Sequence, residues 1–139
     1  MQHLDIRILG DRKYQSISDV IIETSKYKIL IAKGAIFNGA DIPQAFWSMI
    51  GCPLDFALES LAHDILYRSR VLSRYDSDNV FYELLKQQGV DAVTSRKLYL
   101  GVRIGGSEAY EDAMDTMSEY REFVRVEPNV SKNVIINKN

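Results

Sequence analysis

The sequence predicts an α+β fold: an N-terminal antiparallel β-meander packed on a bundle of four to five helices, with a central antiparallel helix hairpin. Three observations predict it. Residues 1–37 hold short β-branched runs separated by turns of about two residues, which read as strands. Across residues 43–124 apolar residues recur at helical spacing. Two of those helical stretches, 54–70 and 74–88, are joined by a connection too short for anything but antiparallel neighbours.

The composition sets the frame. A chain of 139 residues with 46% hydrophobic and 26% charged residues is expected to form one ordinary globular domain able to bury its own core. A net charge of −2 and a pI near 5.7 argue against a general binder of nucleic acid or of anionic membranes. The single cysteine, Cys52, excludes an internal disulfide and fits a reducing compartment. No apolar run approaches the roughly 20 residues of a membrane span. The N-terminus lacks a basic region followed by an apolar run, so no signal peptide is expected.

Taken in order, Leu4, Ile6 and Ile8 alternate weakly in a first strand that ends at Gly10. Residues 19–24 form a second strand and residues 27–32 a third, with Tyr27, Ile29 and Ile31 on one face. A short piece at 35–37 closes the meander. Gly39 and Pro43 then mark a strand-to-helix transition, and a short helix over 44–50 buries Phe46, Trp47 and Ile50. The central helix follows, with Leu54, Ala57, Leu58, Leu61, Ala62, Ile65 and Leu66 as its apolar face. Ser73 and Asp76 form a capping box for the next helix, which stops at Gly89. Asp91 caps a third helix expected to turn Val93, Leu100 and Ile104 inward and to end at Gly105-Gly106. Ser107 is expected to start a fourth, with Tyr110, Ala113, Met114, Met117 and Tyr120 as its stripe. Residues 125–139 read as a polar tail, apart from Val134-Ile-Ile136.

The chemistry concentrates on the central helix. His63 and Asp64 interrupt an apolar run, and Tyr67 stands one turn after His63 on the same face. Asp78 shares a face with Phe81, Tyr82 and Leu85, so it points to the core. His63 and Asp78 lie at similar distances from the connection, which places them within about one turn in height at roughly 1.5 Å per residue. An imidazole facing a carboxylate across a helix pair sets a tautomer and raises basicity. Asp64, projecting about 100° away, could hold a hard cation together with backbone carbonyls of the 37–43 loop. The bland alternative is a satisfied core histidine, bonded to a backbone carbonyl or to Asp78, with no substrate at all.

Three segments carry a family resemblance: Phe37-Asn-Gly-Ala-Asp-Ile-Pro-Gln-Ala-Phe-Trp-Ser-Met-Ile-Gly51, Ala62-His-Asp-Ile-Leu-Tyr-Arg68 and Ser73-Arg-Tyr-Asp-Ser-Asp-Asn-Val-Phe81. Together they resemble the phage and bacterial family known as domain of unknown function 1353, over about residues 27–105. The family typically has Thr-Asp-Gly-Ala-Ser-Ile-Pro, Phe-Trp, His-Asp-x-Leu-Tyr and Ser-Arg-x-x-Ala-Asp. This chain departs from it with Asn38 for the usual aspartate and Asp41 for the usual serine. If the loop acid takes part in chemistry, its role has moved from position 38 to 41 or been lost. The resemblance implies a phage or prophage origin, with the host cytoplasm or the virion as location and other phage proteins as partners.

The His-Asp-x-x-Tyr run also resembles, more loosely, the catalytic helix of class A-two phospholipases. That resemblance implies His63 as general base, Asp78 orienting it and Tyr67 bonding Asp78. It also implies calcium as cofactor, with Asp64 as a ligand alongside Asp41 and Asn38, and a lipid or ester substrate. The disulfides and glycine-rich calcium loop of that group are missing. Two classes of function follow: a calcium-assisted hydrolase, and a virion or assembly component whose His/Asp cluster only fixes the hairpin.

Overall fold

The computed structural model describes residues 2–10, 13–37, 56–112 and 117–130. Within them the chain is α+β, with antiparallel strands ahead of four helices. The strands are β1 (Ile6–Gly10), β2 (Lys13–Ser16), β3 (Val20–Glu23), β4 (Tyr27–Ile31), β5 (Ile36–Phe37) and β6 (Val124–Pro128). The helices are α1 (Ala57–Ser69), α2 (Arg74–Gln87), α3 (Ala92–Asp112) and α4 (Met117–Arg121). No helix among the described residues is long and apolar enough to cross a membrane.

The strands do not make a single meander. They form two three-stranded antiparallel sheets, ordered β1-β2-β5 and β3-β4-β6. Two strands escape the sequence pattern. In β2 the buried positions are Tyr14 and Ser16, so a serine hides half of the alternation. β6 lies mostly in the stretch expected to be a polar tail. Val124, Val126 and the intervening Arg125 and Glu127 alternate as a strand should, and β6 pairs with β4 from Ile31↔Val124 to Tyr27↔Pro128.

One core joins the sheets to α1. Val20, Ile22, Ile29 and Ile31 pack with Leu58, Leu61, Ile65 and Leu66. A side chain of this size stabilises by roughly 1.5–3 kcal/mol when fully buried. A second, smaller cluster of Phe81, Leu85, Leu98 and Val102 joins α2 to α3. The β3–β4 turn clasps α2 from outside: the backbone N–H and hydroxyl of Ser25 both donate to Glu83, and Tyr27 donates to Asp76.

The caps explain the helix ends. Ser73 accepts from the Asp76 N–H at 3.0 Å, and Asp91 accepts from the Thr94 N–H at 2.9 Å. Gly89, at φ +84°, takes the left-handed conformation beyond α2. Arg70 takes the same conformation at the end of α1.

The third helix corrects the sequence expectation twice. It does not stop at Gly105-Gly106 but runs on to Asp112, and the next helix is only Met117–Arg121. Gly106 is there for proximity rather than termination. A Cβ at that position would lie 2.5 Å from the Tyr67 hydroxyl and 2.9 Å from its ring. The phase is also different: Ser95, Leu98 and Val102 are buried, whereas Val93, Leu100 and Ile104 are exposed. The 37–43 loop beyond Phe37, the 44–50 helix with Phe46 and Trp47, Cys52, Ala113, Met114 and Val134-Ile-Ile136 lie outside the described residues.

Candidate functional site

Helix α1 is buried nearly all round, and its two halves differ. Leu58, Leu61, Ala62, Ile65 and Leu66 face the sheets, while Glu59, His63, Asp64 and Tyr67 are equally buried but polar. Residues 59, 63 and 67 recur at intervals of four, so they share one face. Against that face pack α2, which brings Asp78, and α3, which brings Arg103 and the close approach of Gly106.

Asp78 is the hub. Its Oδ1 lies 2.8 Å from His63 Nε2 and accepts from the Tyr67 hydroxyl at 2.5 Å. Its Oδ2 accepts from Arg103 Nη1 at 2.7 Å. Asp78, His63 and Tyr67 are all fully buried. Burial alone would raise the Asp78 carboxyl, but hydrogen bonds from His63, Tyr67 and Arg103 and the attraction of His63 outweigh it. The carboxyl is held below its usual range and stays ionised. Tyr67 moves the other way: burial first, then the bond to the Asp78 charge, push its phenol far up, so it remains a donor.

An ionised Asp78 can only accept, so His63 donates from Nε2; in the neutral ring Nδ1 then carries the lone pair. Among the described residues Nδ1 is buried without a hydrogen-bond partner. Leaving a buried polar atom unsatisfied costs about 1–3 kcal/mol. The ring itself is gripped by Tyr67 at 4.0 Å and Phe81 at 5.0 Å between centroids, and Tyr110 meets Tyr67 edge-on at 5.3 Å. The imidazole is therefore fixed in place, bonded at Nε2 and buried at Nδ1.

Of the residues singled out from the sequence, His63, Tyr67 and Asp78 come together as the helical spacing requires. Asp64 does not join them. It projects to another side of α1, where its Oδ1 accepts from Arg68 Nε at 2.8 Å. Asn38 and Asp41 lie outside the described residues. Among the described residues no group of three or more His, Cys, Asp or Glu side chains could hold a metal ion.

Two residues of this region escaped the sequence. Arg103 was hidden because α3 was given the wrong phase; the available signal was a basic residue among Leu100, Val102 and Ile104. Its backbone is secured by Arg74, whose Nη2 donates to the carbonyls of Val102 and Arg103. Glu59 is only 3% exposed, and burial pushes its carboxyl up to about 7. An acid one turn before His63 inside an apolar run was the signal for it.

Comparison with protein families matches residues 15–102, well over half of the chain, to the family described as "Protein of unknown function (DUF1353)". The chain belongs to that family. The match takes in the second half of β2, β3 to β5, α1, α2 and the part of α3 that ends at Val102, one residue short of Arg103. A curated relative in this comparison is "Uncharacterized protein y4jT" of Sinorhizobium fredii (strain NBRC 101917 / NGR234), 30% identical over 80 residues. The aligned stretch covers 56% of this chain and 24% of the relative, so the DUF1353 chain spans about a quarter of that protein's length. No solved structure matches.

Proposed function

We propose that the chain is a hydrolase-type domain in which His63, oriented by Asp78, serves as general base toward an ester, in the manner of the phospholipase helix it resembles. The observation that carries this is the His63 ring: Nε2 bonded to Asp78 and Nδ1 buried without a hydrogen-bond partner among the described residues. A purely structural histidine would use both nitrogens inside the protein.

The chemistry is a water attack. The Nδ1 lone pair takes a proton from water as the oxygen bonds to the ester carbonyl carbon. The resulting imidazolium is stabilised by Asp78, and it returns the Nδ1 proton to the departing alkoxide, leaving acid and alcohol. Tyr67 and Arg103 act through Asp78 as positioning residues. Because Arg103 already neutralises Asp78, the carboxylate steadies the imidazolium less than a free one would. The ring is fully buried, so turnover requires a path for water and ester to Nδ1. Calcium, Asp64 and the 38–41 loop enter as variables of the test, since the described residues supply no step through a metal. The phage and bacterial family resemblance supports a phage- or prophage-encoded setting.

A second reading has its own support. Asp78 receives three donors from two other helices, which is also what a polar knot fixing a hairpin in a virion or assembly component needs.

The test is hydrolysis of short-chain esters and mixed phospholipid micelles, with millimolar calcium or with chelator. Wild type should turn over at least one of them, and His63→Gln should lose about 10²–10⁴-fold while melting close to wild type. No turnover by wild type, or full activity in His63→Gln, favours the knot.

A further inference from the structure

The His63 face of α1 carries a further buried acid that the Asp78 network does not use. Glu59 stands one turn before His63 on that face, where Cβ atoms four residues apart lie about 6 Å from each other. Asp78 has three donors and Asp64 has Arg68. Among the described residues the one hydrogen bond to the Glu59 carboxyl comes from its own backbone N–H. Register explains the difference. The antiparallel pairing that sets His63 level with Asp78 puts Glu59 about one turn further on, level with Phe81 and Leu85 of α2. Those two pack on Leu98 of α3, and Phe81 also lies against the His63 ring. The ionisable groups presented along this side are His63 and Tyr67 of α1, Arg74 and Asp78 of α2 and Arg103 of α3. All five are tied together at the far end from Glu59. The Glu59 carboxyl and His63 Nδ1 are thus two buried polar groups, one turn apart, with no side chain among the described residues bonded to either.

We propose that Glu59 is a further catalytic residue, whose carboxylic acid O–H donates to the ester carbonyl oxygen while His63 Nδ1 takes the proton of the attacking water. This role rests on the hydrolase reading above. As the water oxygen bonds to the carbonyl carbon, the C=O electron pair moves onto oxygen, and the O–H holds the resulting oxyanion. On collapse the pair returns to form the carbonyl. The alkoxide leaves with the proton from Nδ1, and Glu59 keeps its own proton throughout. Attack needs a base and an oxyanion donor each about 3 Å from one reacting group, and two side chains one helical turn apart can flank such a group. The donor must also be neutral, since a carboxylate would repel the oxyanion. Burial in an apolar surround supplies that, raising the carboxyl to about 7.

The experiment follows hydrolysis of a short-chain ester from about pH 5 to about pH 9 by wild type, Glu59→Leu, Glu59→Gln and His63→Gln. Wild-type kcat should fall above about 7 as the donor ionises. Glu59→Leu should lose about 10²–10³-fold in kcat with little change in KM, because the missing bond forms only in the transition state. Glu59→Gln keeps an N–H donor that does not titrate, so it should lose less than Glu59→Leu and lack the alkaline fall. A purely structural acid would move the melting temperatures of both variants and leave the shape of the pH profile unchanged. An active wild type with Glu59→Leu within about threefold of it overturns the role of Glu59 alone, provided His63→Gln is inactive. A Glu59→Gln profile that retains the alkaline fall overturns it equally. No turnover by wild type overturns this role together with the hydrolase reading.

Discussion

Helices α1 and α3 break the hydrophobic pattern in opposite directions. α1 buries a glutamate, a histidine and an aspartate where a core helix would carry leucines, and α3 exposes a valine, a leucine and an isoleucine where a surface helix would carry lysines. The costs differ greatly. A buried ionisable group loses several kcal/mol of hydration unless it is paired. An exposed aliphatic side chain on a folded surface is common and costs little. α1 therefore needs compensation on the spot, and the compensation is visible: Asp78 is bonded by three donors, and Asp64 by Arg68. α3 needs none, so only a partner or surface would give its stripe a use. The same kind of departure marks a structural commitment in one helix and an available face in the other.

The largest way to break the α1 side is Asp78→Ala. It strands the buried His63 N–H and Tyr67 hydroxyl and removes the partner of Arg103, so about 3–5 kcal/mol of stability should be lost. Urea midpoints at constant slope measure it. A loss below about 1 kcal/mol would mean that the hub does not hold the hairpin. The pH dependence has a definite sign. The folded carboxyl titrates below its usual 3.8, so its stabilisation is fully present above that value and fades as pH falls through the folded value. The gap between wild type and Asp78→Ala should narrow in that acid range and nowhere else.

Next in size is Glu59, where the compensation is incomplete. Its folded carboxyl, raised from 4.5 to about 7, keeps a proton that the unfolded chain has released. Stability must then fall as pH rises from about 4.5 to 7, by about 3 kcal/mol in total at about 1.4 kcal/mol per pH unit. Glu59→Gln removes that slope. Melting temperatures across the window should decline for wild type and stay flatter for the variant, which overtakes it at pH 8. Parallel curves would show that Glu59 does not titrate as its burial implies.

The two helices were also unequally legible in the sequence. His63, Tyr67 and Asp78 could be placed together because helical spacing and a short connection fix both face and height, and those are local quantities. Arg103 could not, because α3 offers two apolar phases, one through Val93, Leu100 and Ile104 and one through Leu98 and Val102. Only the packing against α2 chooses between them. Gly105-Gly106 misled for a related reason: glycine suits a helix end and equally suits the close approach of a neighbour, and the neighbour here is Tyr67, far back in the chain. The sheets show the same limit. The β3–β4 hairpin was visible from local alternation, whereas β6 joins β4 across nearly the whole chain.

The smallest expected effect is the sharpest test of the contrast. Leu98 is 1% exposed and Leu100 is 48% exposed, two residues apart on one helix. Truncation to alanine at 98 should cost about 2–5 kcal/mol by opening the α2–α3 cluster, while the same change at 100 should stay within about 0.5 kcal/mol. Alanine is a better helix former than leucine, so the second change could even gain slightly. Paired denaturation curves decide it. Were Leu100→Ala to cost as much as Leu98→Ala, residue 100 would be covered in solution, by the protein's own interior or by a second copy. A near-zero value leaves residue 100 with no role in holding the fold.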